Sequence, residues 1–276
     1  MVEKLRNTKK AKALFGDWEE TLILSCMQEI MGEIYVDNQE NPLSAMAILG
    51  DFVFFAGKVN RELVLFKPDW CKQNFIIMVP QNEEWGKMIE DCYKEKADKV
   101  LRYAIKKQPK IFHEAKLQEI IKKLPDGYEL KMIDEHLYNQ CRENDWSRDF
   151  VSQYRDYETY NKLGLGAVIL KNGEIVSGAS SYTTYKDGIE IEIDTKKQYR
   201  RKGLASICGA KLILECQKRN LYPSWDAQNL WSVSLAEKLG YEYSHAYTAY
   251  EVVGYEIVLI RFSGECSMTQ KMLKSL

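Results

Sequence analysis

The sequence predicts a mixed α/β fold, and three observations lead to this prediction. Segments with the pattern of strands alternate with segments of helical pattern along the 276 residues. The pair Asn172-Gly173 lies between two apolar segments, and this pair favours the tight turn of a β-hairpin. The alternating segment IEIEIDT (189–195) is followed by a basic turn and then by a helical segment, 203–220. The apolar face of that segment predicts a helix that packs on a sheet.

The first half of the chain ends at a strong turn signal. Its predicted strands are 32–37, 47–57, 74–80 and 99–107, and its predicted helices are 60–66, 83–93 and 111–124. Pro125-Asp126-Gly127 then favours a turn, because proline fixes one dihedral angle and glycine accepts a reversed one. We place a domain boundary there, which gives a first domain at 1–125, a second at 126–262 and a polar tail at 263–276.

The second half repeats the alternation of strands and helices more clearly. Its predicted strands are 128–134, 165–171, 174–185, 189–195 and 223–227, with one or two more strands within 241–260. Its predicted helices are 135–144, 146–164, 203–220 and 229–240. Gly164 and Gly240 are expected to end the second and the fourth of these helices.

The charge balance argues against two classes of partner. The chain has 39 basic and 40 acidic residues, whereas proteins that bind nucleic acids or membrane surfaces usually have a basic excess. No apolar run approaches the roughly 20 residues of a membrane span, and the first residues do not resemble a secretory signal. We therefore expect neither a nucleic acid nor a membrane as a partner.

The cysteines predict reduced thiols in a cytosolic, and thus cytoplasmic, protein. Their number is odd and no two form a C-x-x-C pair. They are Cys26, Cys71, Cys92, Cys141, Cys208, Cys216 and Cys266. The three histidines (His113, His136 and His245) lie far apart and none has a cysteine near it, so we expect no metal site.

The turn after IEIEIDT places Arg200-Arg201-Lys202 directly before Gly203, where the helix is predicted to begin. The first turn of a helix has unpaired N–H groups and a partial positive charge, and glycine allows a close approach. Three cations beside those donors repel one another unless an anion lies there. The pattern therefore favours a phosphate or pyrophosphate site. A solvated basic turn is the alternative for such a string taken alone.

The segments after this turn resemble the GNAT superfamily of N-acetyltransferases. Arg200, Gly203 and Ala205 fit the phosphate loop of that superfamily, (Gln/Arg)-x-x-Gly-x-(Gly/Ala). A later signature has an Asn at the start of a helix, a Ser, and a Glu-Lys-Leu-Gly-aromatic ending. Asn229, Ser232 and the segment 237–241 fit it. The strings RYAIKKQP, LPDGYELKMID, EIDTKKQYRRKGLA and YPSWDAQNLWSVSLAEKLGY look like the bacterial two-domain GNAT family that includes zwittermicin A resistance proteins.

The resemblance implies a GNAT fold, in which helices flank a central, mixed and partly splayed sheet. A degenerate GNAT-like domain would precede it, because the first half has no R-x-x-G-x-A string. Acetyl-CoA, as co-substrate, would lie where two parallel strands part, with its diphosphate on the basic turn and its pantetheine arm along the strand before it. The implied cofactor-binding residues are Ile193, Asp194, Thr195, Arg200, Arg201, Lys202, Gly203, Leu204, Ala205, Ser206, Asn229 and Ser232.

The strand before the basic turn also supplies candidate general bases. Glu190, Glu192 and Asp194 alternate with isoleucines, so the three carboxylates share one face of the strand. Neighbouring carboxylates raise one another's pKa, which suits a base that works near neutral pH. Relatives carry their acidic residue at about the position of Glu192, which makes it the first candidate and Glu190 the second. A solvated outer face is the alternative for this row.

The acid that protonates the leaving thiolate is harder to place. Many relatives have a tyrosine one position before the Glu-Lys-Leu-Gly run, where this chain has Ala236. Substitutes are Ser234, Tyr241, Tyr243 and Tyr247. A dedicated acid is not required either, since the thiolate of CoA is a tolerable leaving group.

Three further expectations concern side chains near or outside this site. Asp226 either binds a cationic amine of the substrate or caps the following helix. Cys208 and Cys216 lie on the predicted buried face of a helix, so neither is expected to be a nucleophile. The tryptophans of the first half (Trp18, Trp70 and Trp85) are expected in the core.

The sequence thus predicts an acetyl-CoA-dependent N-acetyltransferase that acts by direct attack in a ternary complex. The predicted acceptor is a primary amine of a small molecule, such as an antibiotic or a metabolite. One alternative is a catalytically silent acyl-CoA-binding module, suggested by Ala236. A protein-lysine acetyltransferase is another. The oligomeric state and the identity of the acceptor stay open.

Overall fold

Two β-sheets, one of eight strands and one of five, organise residues 1–256, the part of the chain that the structure, a computed structural model, describes. The strands are β1 (Glu3–Lys4), β2 (Glu33–Val36), β3 (Ser44–Leu49), β4 (Phe52–Gly57), β5 (Phe75–Pro80), β6 (Ala97–Ile105), β7 (Tyr128–Met132), β8 (Gly166–Lys171), β9 (Glu174–Tyr185), β10 (Gly188–Thr195), β11 (Tyr222–Ser224), β12 (Asp226–Ala227) and β13 (Tyr243–Val253). The predicted tail 263–276 lies outside the described residues.

Helices cover both sheets. They are α1 (Lys12–Phe15), α2 (Thr21–Met27), α3 (Arg61–Leu65), α4 (Glu83–Tyr93), α5 (Glu114–Ile121), α6 (Glu135–Arg142), α7 (Asp145–Arg148), α8 (Tyr157–Leu163), α9 (Leu204–Lys218) and α10 (Leu230–Leu239). The mixed α/β fold predicted from the sequence is confirmed.

The eight-stranded sheet joins the two halves of the chain. Its order is β1-β2-β3-β4-β5-β13-β6-β12, so a late strand lies between two strands of the first half. Tyr250 of β13 is opposite Met78 of β5 on one side and Lys99 of β6 on the other. The division into domains at Pro125-Asp126-Gly127 stays a prediction, and this pairing ties the two predicted domains together.

The five-stranded sheet, in the order β11-β10-β9-β8-β7, splays at one end. Strands β10 and β11 are parallel and pair only from Gly188 to Glu190 on the β10 side. The chain then turns away, and β12 pairs with β6 of the other sheet. A gap therefore opens between β12 and residues 191–195 of β10.

Apolar clusters on both faces of the five-stranded sheet hold β10 in position beside this gap. Helices α5 and α9 pack on one face of the five-stranded sheet, in a core that includes Ile189 and Ile191 of β10. Helices α6 and α8 contribute a second cluster on the opposite face of the sheet. The isoleucine face predicted for β10 is confirmed, because burial of apolar surface sets the register of a strand.

Three predicted segments are divided in the structure. The run 47–57 forms two strands, because Gly50 has a φ of 59° and reverses the chain between them. Helix 146–164 is two short helices, since the side chain of Asp156 accepts a hydrogen bond from the Thr159 N–H and starts a new one. Strand 223–227 divides into β11 and β12, which belong to different sheets.

The predicted hairpin turn is present, whereas the three tryptophans predicted in the core differ in their burial. The hairpin at Asn172-Gly173 is confirmed, with φ values of 53° and 81°. Of the first-half tryptophans, Trp85 is fully buried as predicted. The expectation was wrong for Trp70, which is 43% exposed and donates a hydrogen bond to Glu33. Trp18 is half-buried and borders a cavity.

Two structural facts bear on the classes of protein considered above. No helix within the described part of the chain has both the length and the apolar composition needed to span a membrane. Among residues 1–256, no three histidine, cysteine or acidic side chains are grouped so as to hold a metal ion.

Candidate active site

A cavity of about 950 Å³ fills the gap between β10 and β12. Its walls are Arg102, residues 191–195 of β10, the basic turn, the start of α9, and the segment from Trp225 along α10 as far as Lys238. All the predicted cofactor-binding residues except Lys202 line it. The sequence signals on either side of the gap therefore meet in one place.

The start of α9 has no capping side chain, whereas five of the ten α-helices in residues 1–256 have one. Asn82 and Asn229 each accept hydrogen bonds from backbone N–H groups at the starts of α4 and α10. Gly203, at the same position of α9, has a φ of 79° and makes no side-chain capping bond. A Cβ there would have no heavy atom within 4 Å. The donors of this helix therefore face open space, as an anion site requires.

The three cations of the basic turn have different surroundings. The Arg200 guanidinium donates hydrogen bonds to the Thr195 carbonyl at 2.9 Å and to Asp194 Oδ1 at 3.1 Å, so it braces the turn against β10. Arg201 lies over the ring of Trp231, 5.8 Å from its centroid, and lines the cavity. Lys202 lies over Tyr199 and does not line the cavity. Its predicted contact with the cofactor is not supported by this geometry.

The edge of β10 that faces the gap offers free backbone groups. The Tyr222 N–H donates to the Asp187 carbonyl at 2.8 Å, so the backbone of Asp187 points toward β11. Backbone groups alternate along a strand, and those of Ile191 and Ile193 therefore point the same way. Beyond Glu190 the described part of β11 no longer pairs with this edge. An extended ligand can add to it through main-chain hydrogen bonds.

Asn229 and Ser232 form the opposite wall and are themselves ordered by hydrogen bonds. The Asn229 side chain caps α10 by accepting from the Ser232 N–H at 3.0 Å. The Ser232 hydroxyl accepts from the Trp225 indole N–H at 3.0 Å. The neighbouring Trp231 is 79% exposed, so an aromatic face is presented to the cavity mouth.

The carboxylates of β10 point away from α9, toward the first half of the chain. Glu190 is only 6% exposed and Glu192 is half-buried, so a solvated outer face does not describe them. Burial, and then the charge of Asp226, raises the pKa of Glu190 to about 8. Burial, and then the charges of Asp149 and Asp51, raises the pKa of Glu192 to about 8. Of these two glutamates, Glu192 lines the large cavity.

Asp51 is held near Glu192 by a tyrosine from β9. Tyr182 is an extra residue in β9, because Glu190 is opposite Thr183 whereas the next residue of β10 is opposite Ser181. The hydroxyl of Tyr182 donates to Asp51 Oδ1 and accepts from the Asp51 N–H. This β-bulge therefore connects β9 to the first half beside the candidate base.

Arg102 and Asp226 close the inner end of the cavity. The Arg102 Nε donates to Asp226 Oδ2 at 2.6 Å, and the Tyr247 hydroxyl donates to Asp226 Oδ1 at 2.9 Å. Asn229, and not Asp226, caps α10. The alternative that Asp226 acts as a cap is therefore wrong, and its carboxylate already has a cation beside it.

Two of the predicted catalytic residues lie outside the cavity. Ser234 is exposed on α10, and it does not line the cavity because its position in the helical turn points it away. Tyr241 is buried, and its hydroxyl donates to the Pro223 carbonyl at 2.7 Å. We therefore assign the leaving-group proton to neither side chain.

The cysteines near the cavity are unsuited to covalent catalysis. Cys208 and Cys216 are fully buried, and burial raises the pKa of each thiol to about 12. A thiol that stays protonated at neutral pH is a poor nucleophile. Each of the six cysteines within the described residues is a free thiol, and Cys266 lies outside them.

Sequence reasoning missed the contributions of the first half to this site. Arg102 lines the cavity, and Asp51 lies behind Glu192, where Tyr182 of the second half holds it. No local motif marks them, because they reach the site through long-range packing.

Comparison with known proteins decides the family. The family model described as GNAT acetyltransferase matches residues 12–250. The chain belongs to this family. GNAT acetyltransferases use acetyl-CoA as the acyl donor, and this chain is accordingly an acyltransferase of the N-acetyltransferase type.

Individual relatives agree with this membership. The chain is 27% identical over 250 residues to a Bacillus subtilis (strain 168) protein named uncharacterized N-acetyltransferase YdfB, which covers 87% of this chain and 93% of that protein. A crystal structure of a GCN5-related N-acetyltransferase-like protein from Streptococcus suis 89/1591 has 48% identity and a TM-score of 0.84. It covers 89% of this chain and 98% of that chain.

A more distant structure shares the GNAT fold alone. It is a tandem GNAT protein from the clavulanic acid biosynthesis pathway, with 7% identity and a TM-score of 0.51. The match covers 92% of this chain and 99% of that chain. The predicted GNAT fold, with helices on both faces of mixed sheets, is confirmed by these neighbours.

Proposed function

We propose that this GNAT protein transfers an acetyl group from acetyl-CoA to a primary amine of a small molecule, by direct attack in a ternary complex. The observation that carries the proposal is that the uncapped start of α9 and the carboxylate of Glu192 border one cavity. An anion site and a general base are the two groups that this reaction needs on either side of a thioester.

The donor fits the residues present on one wall. The N–H groups at the start of α9 and the guanidinium of Arg201 would hold the diphosphate. The free edge of β10 at Ile191 and Ile193 would pair with the amide-containing pantetheine arm. Asn229, already ordered as the cap of α10, would line the other side of that arm.

The chemistry requires three contributions, two of which the chain supplies. When bound, acetyl-CoA supplies a thioester carbon at which the new C–N bond forms as the C–S bond breaks and the thiolate leaves. Glu192 takes the proton that the amine loses. The Ile193 N–H, which points into the gap, donates a hydrogen bond to the carbonyl oxygen as negative charge develops there. The thiolate then takes its proton from solvent.

The environment of Glu192 suits the role of base. A pKa of about 8 keeps a useful fraction of the carboxylate ionised at neutral pH and makes it more basic than an ordinary glutamate. Direct transfer is favoured over a covalent acyl-enzyme, since the thiols nearest to α9 are buried and protonated.

The two halves would have different tasks. Residues 126–262 would form the catalytic GNAT domain, and residues 1–125 a GNAT-like domain without a CoA loop that walls the acceptor side. Asp51 and Arg102 support this division, since both come from the first half and lie beside Glu192 or in the cavity wall. The resemblance to zwittermicin A resistance proteins makes amine-bearing antibiotics a first group of acceptors to test.

One observation favours a second candidate function. Ala236 is fully buried where many relatives have a tyrosine, and neither Ser234 nor Tyr241 reaches the cavity to replace it. A chain without any general acid could be a silent acyl-CoA-binding module. Because a thiol is more acidic than other leaving groups, the thiolate of CoA can leave without a dedicated acid. The silent module is therefore the weaker alternative.

An activity screen separates the two functions. Purified protein is mixed with acetyl-CoA and a panel of small amines, and released thiol and product mass are measured, with CoA affinity followed by calorimetry. We expect at least one amine to gain an acetyl group, and Glu192→Gln to abolish that gain while CoA affinity is kept. Glu84→Gln, a change at an exposed glutamate that does not line this cavity, is the control. Intact CoA binding with no product from any amine would favour the silent module.

A further inference from the structure

A second cavity, of about 430 Å³, lies next to the first. The two share Trp225 and Asp226 in their walls. The second cavity is closed by segments 17–20 and 104–108 of the first half and by Glu190 and Ser224 of the second. The acetyl-transfer steps described above use neither Glu190 nor Ser224.

Two buried polar atoms in this cavity have no partner within the described residues. Glu190 is 6% exposed and Ser224 is 1% exposed, and both line the cavity. Glu190 Oε1 and Ser224 Oγ have no partner with hydrogen-bond distance and angle within residues 1–256, and the Thr21 and Tyr185 hydroxyls are the polar groups that lie near them. Buried oxygens are nearly always hydrogen-bonded, because leaving one unpaired costs free energy. The cavity therefore offers acceptors that need donors.

The carboxyl groups around the cavity favour a cation as the group that donates these hydrogen bonds. Glu20 and Glu190 face it without a described ion-pair partner. Asp226 is paired with Arg102, and the Lys107 ammonium donates to the Glu19 carbonyl beside the ring of Tyr185. Lys107 keeps its charge, because a carbonyl oxygen does not neutralise an ammonium, and Lys106 is paired with Glu242. Glu20 and Glu190 thus share the charge of Lys107, and two carboxyl groups exceed that one cation.

The raised pKa values of Glu20 and Glu190 agree with a cavity that would take up a cation. Burial, and then the charge of Asp226, raises the pKa of Glu20 to about 7, as it raises that of Glu190 to about 8. Both carboxyl groups therefore tend to keep their protons when no cation is present. An ammonium group would favour their ionised forms and would donate hydrogen bonds to the unpaired oxygens.

The spacing along β10 relates this cavity to the transfer site. Glu190 and Glu192 are two residues apart on one face of a strand, so their Cα atoms are separated by roughly 6.5–7 Å. A molecule whose reactive amine lies at Glu192 would place a group some 7 Å away beside Glu190. The half-buried ring of Trp18 and the buried ring of Trp225 give the second cavity an aromatic lining.

We propose that the second cavity binds a second ammonium group of the acceptor, so that the acceptor is a small molecule with at least two amino groups. Glu190 and Ser224 accept hydrogen bonds from the anchored ammonium, and Glu20 balances its charge. The other amine reaches Glu192 and receives the acetyl group. This inference rests on the proposed acetyl transfer and adds the class of acceptor.

A matched pair of probes tests the proposal by binding alone. Calorimetry with CoA-loaded protein compares 1,5-diaminopentane with pentylamine, which has the same chain and one ammonium group. We expect the diamine to bind at least about tenfold more tightly, since a charge-assisted hydrogen bond in a buried site supplies that much. Equal affinities, or no binding of either probe, would overturn the proposal.

Two variants locate the effect. Glu190→Gln keeps the shape of the side chain and removes its charge, and we expect it to abolish the preference for the diamine. Ser224→Ala should reduce the preference, and it serves as the test if Glu190→Gln fails to fold. Glu84→Gln, with its exposed side chain, should keep the preference. The proposal would also be overturned if Glu190→Gln preferred the diamine to pentylamine as strongly as wild type does. If Glu190→Gln does not fold, the same result in Ser224→Ala would overturn it.

The failure of this inference can be told from failure of the proposed function. Binding of the two probes does not require turnover, so a silent module with an ammonium site would still distinguish them. If the protein binds pentylamine and the diamine equally and acetylates them equally, the proposed acetyl transfer stands. The second cavity would then not be an ammonium site.

Discussion

Arg102 and Asp226 form a buried ion pair in which the Nη2 and Oδ2 atoms lie 2.5 Å apart. Arg102 belongs to β6 of the first half, and Asp226 to β12 of the second. Tyr247 of the inserted strand β13 donates to the same carboxylate. The pair therefore joins the two halves at the wall that the two cavities share.

Removing one member of this pair should be costly. Arg102→Ala leaves the Asp226 carboxylate buried beside Tyr247, and we expect the free energy of unfolding to fall by about 3 kcal/mol. Lys106→Ala is the control, because Lys106 pairs with Glu242 where both side chains are largely exposed, and its loss should cost under about 1 kcal/mol. Urea unfolding of both variants measures the difference. Equal losses would show that the buried pair is not a joint between the halves.

Replacing the candidate base should separate catalysis from binding. In Glu192→Gln the proton acceptor is lost, so kcat should fall by roughly 100-fold or more while CoA affinity stays the same. The wild-type rate should rise with pH and level off above an apparent pKa of about 8, because the carboxyl group must be ionised to accept a proton. Rates measured from pH 6 to 10 on an active amine test this. A pH profile that is flat through 8 would contradict the role of Glu192.

The buried glutamates should also make stability depend on pH. In the folded protein the pKa of Glu190 is about 8 against an ordinary value of 4.5, so the folded state holds a proton that the unfolded chain releases. The stability that the protonated Glu190 contributes is therefore fully present below about pH 4.5 and is lost as the pH rises toward 8.

Glu190→Gln should weaken that dependence. Relative to wild type, the variant should gain at least about 1 kcal/mol of unfolding free energy between pH 5 and pH 8. Urea unfolding at the two pH values gives the comparison, with Glu84→Gln as the exposed control. A parallel loss of stability in wild type and Glu190→Gln would mean that Glu190 titrates normally.

The cations of the basic turn should differ in their contribution to CoA binding. Arg201 lines the cavity beside Trp231, so Arg201→Ala should weaken CoA affinity by roughly tenfold. Lys202 lies over Tyr199 outside the cavity, and Lys202→Ala should weaken it by less than about threefold, through screened charge alone. Calorimetric titration at 0.15 M salt compares the two. The reverse order would contradict the placement of the diphosphate.

Local chemistry made part of this site predictable from sequence. A glycine with cations before it, an Asn that caps a helix, and an alternating row of carboxylates are all signals within a few residues, and the structure brings them to one gap. The helix boundaries near Gly203, Asn229 and Gly240 follow for the same reason.

Long-range pairing made the rest unpredictable. Strand β13 inserts between β5 and β6, and no local pattern records which strands it joins. The positions of Arg102, Asp51 and Tyr182 depend on that insertion and on a bulge in β9. Lys202 and Ser234 do not line the cavity, because neighbouring residues in a turn or helix point in different directions, and their predicted roles stay predictions.

The central claim is that the uncapped start of α9 holds the diphosphate of acetyl-CoA. Gly203→Asp introduces a carboxylate there, and Gly173→Asp introduces the same group at a glycine with a similar φ, 81° against 79°, and equally open surroundings. Backbone strain is thus matched between the two variants.

Calorimetric titration of CoA into these two variants and wild type tests the claim most directly. We expect Gly173→Asp to bind CoA like wild type and Gly203→Asp to lose at least about 100-fold in affinity, since the added charge and bulk occupy the anion position. Wild-type affinity in a folded Gly203→Asp protein would contradict it.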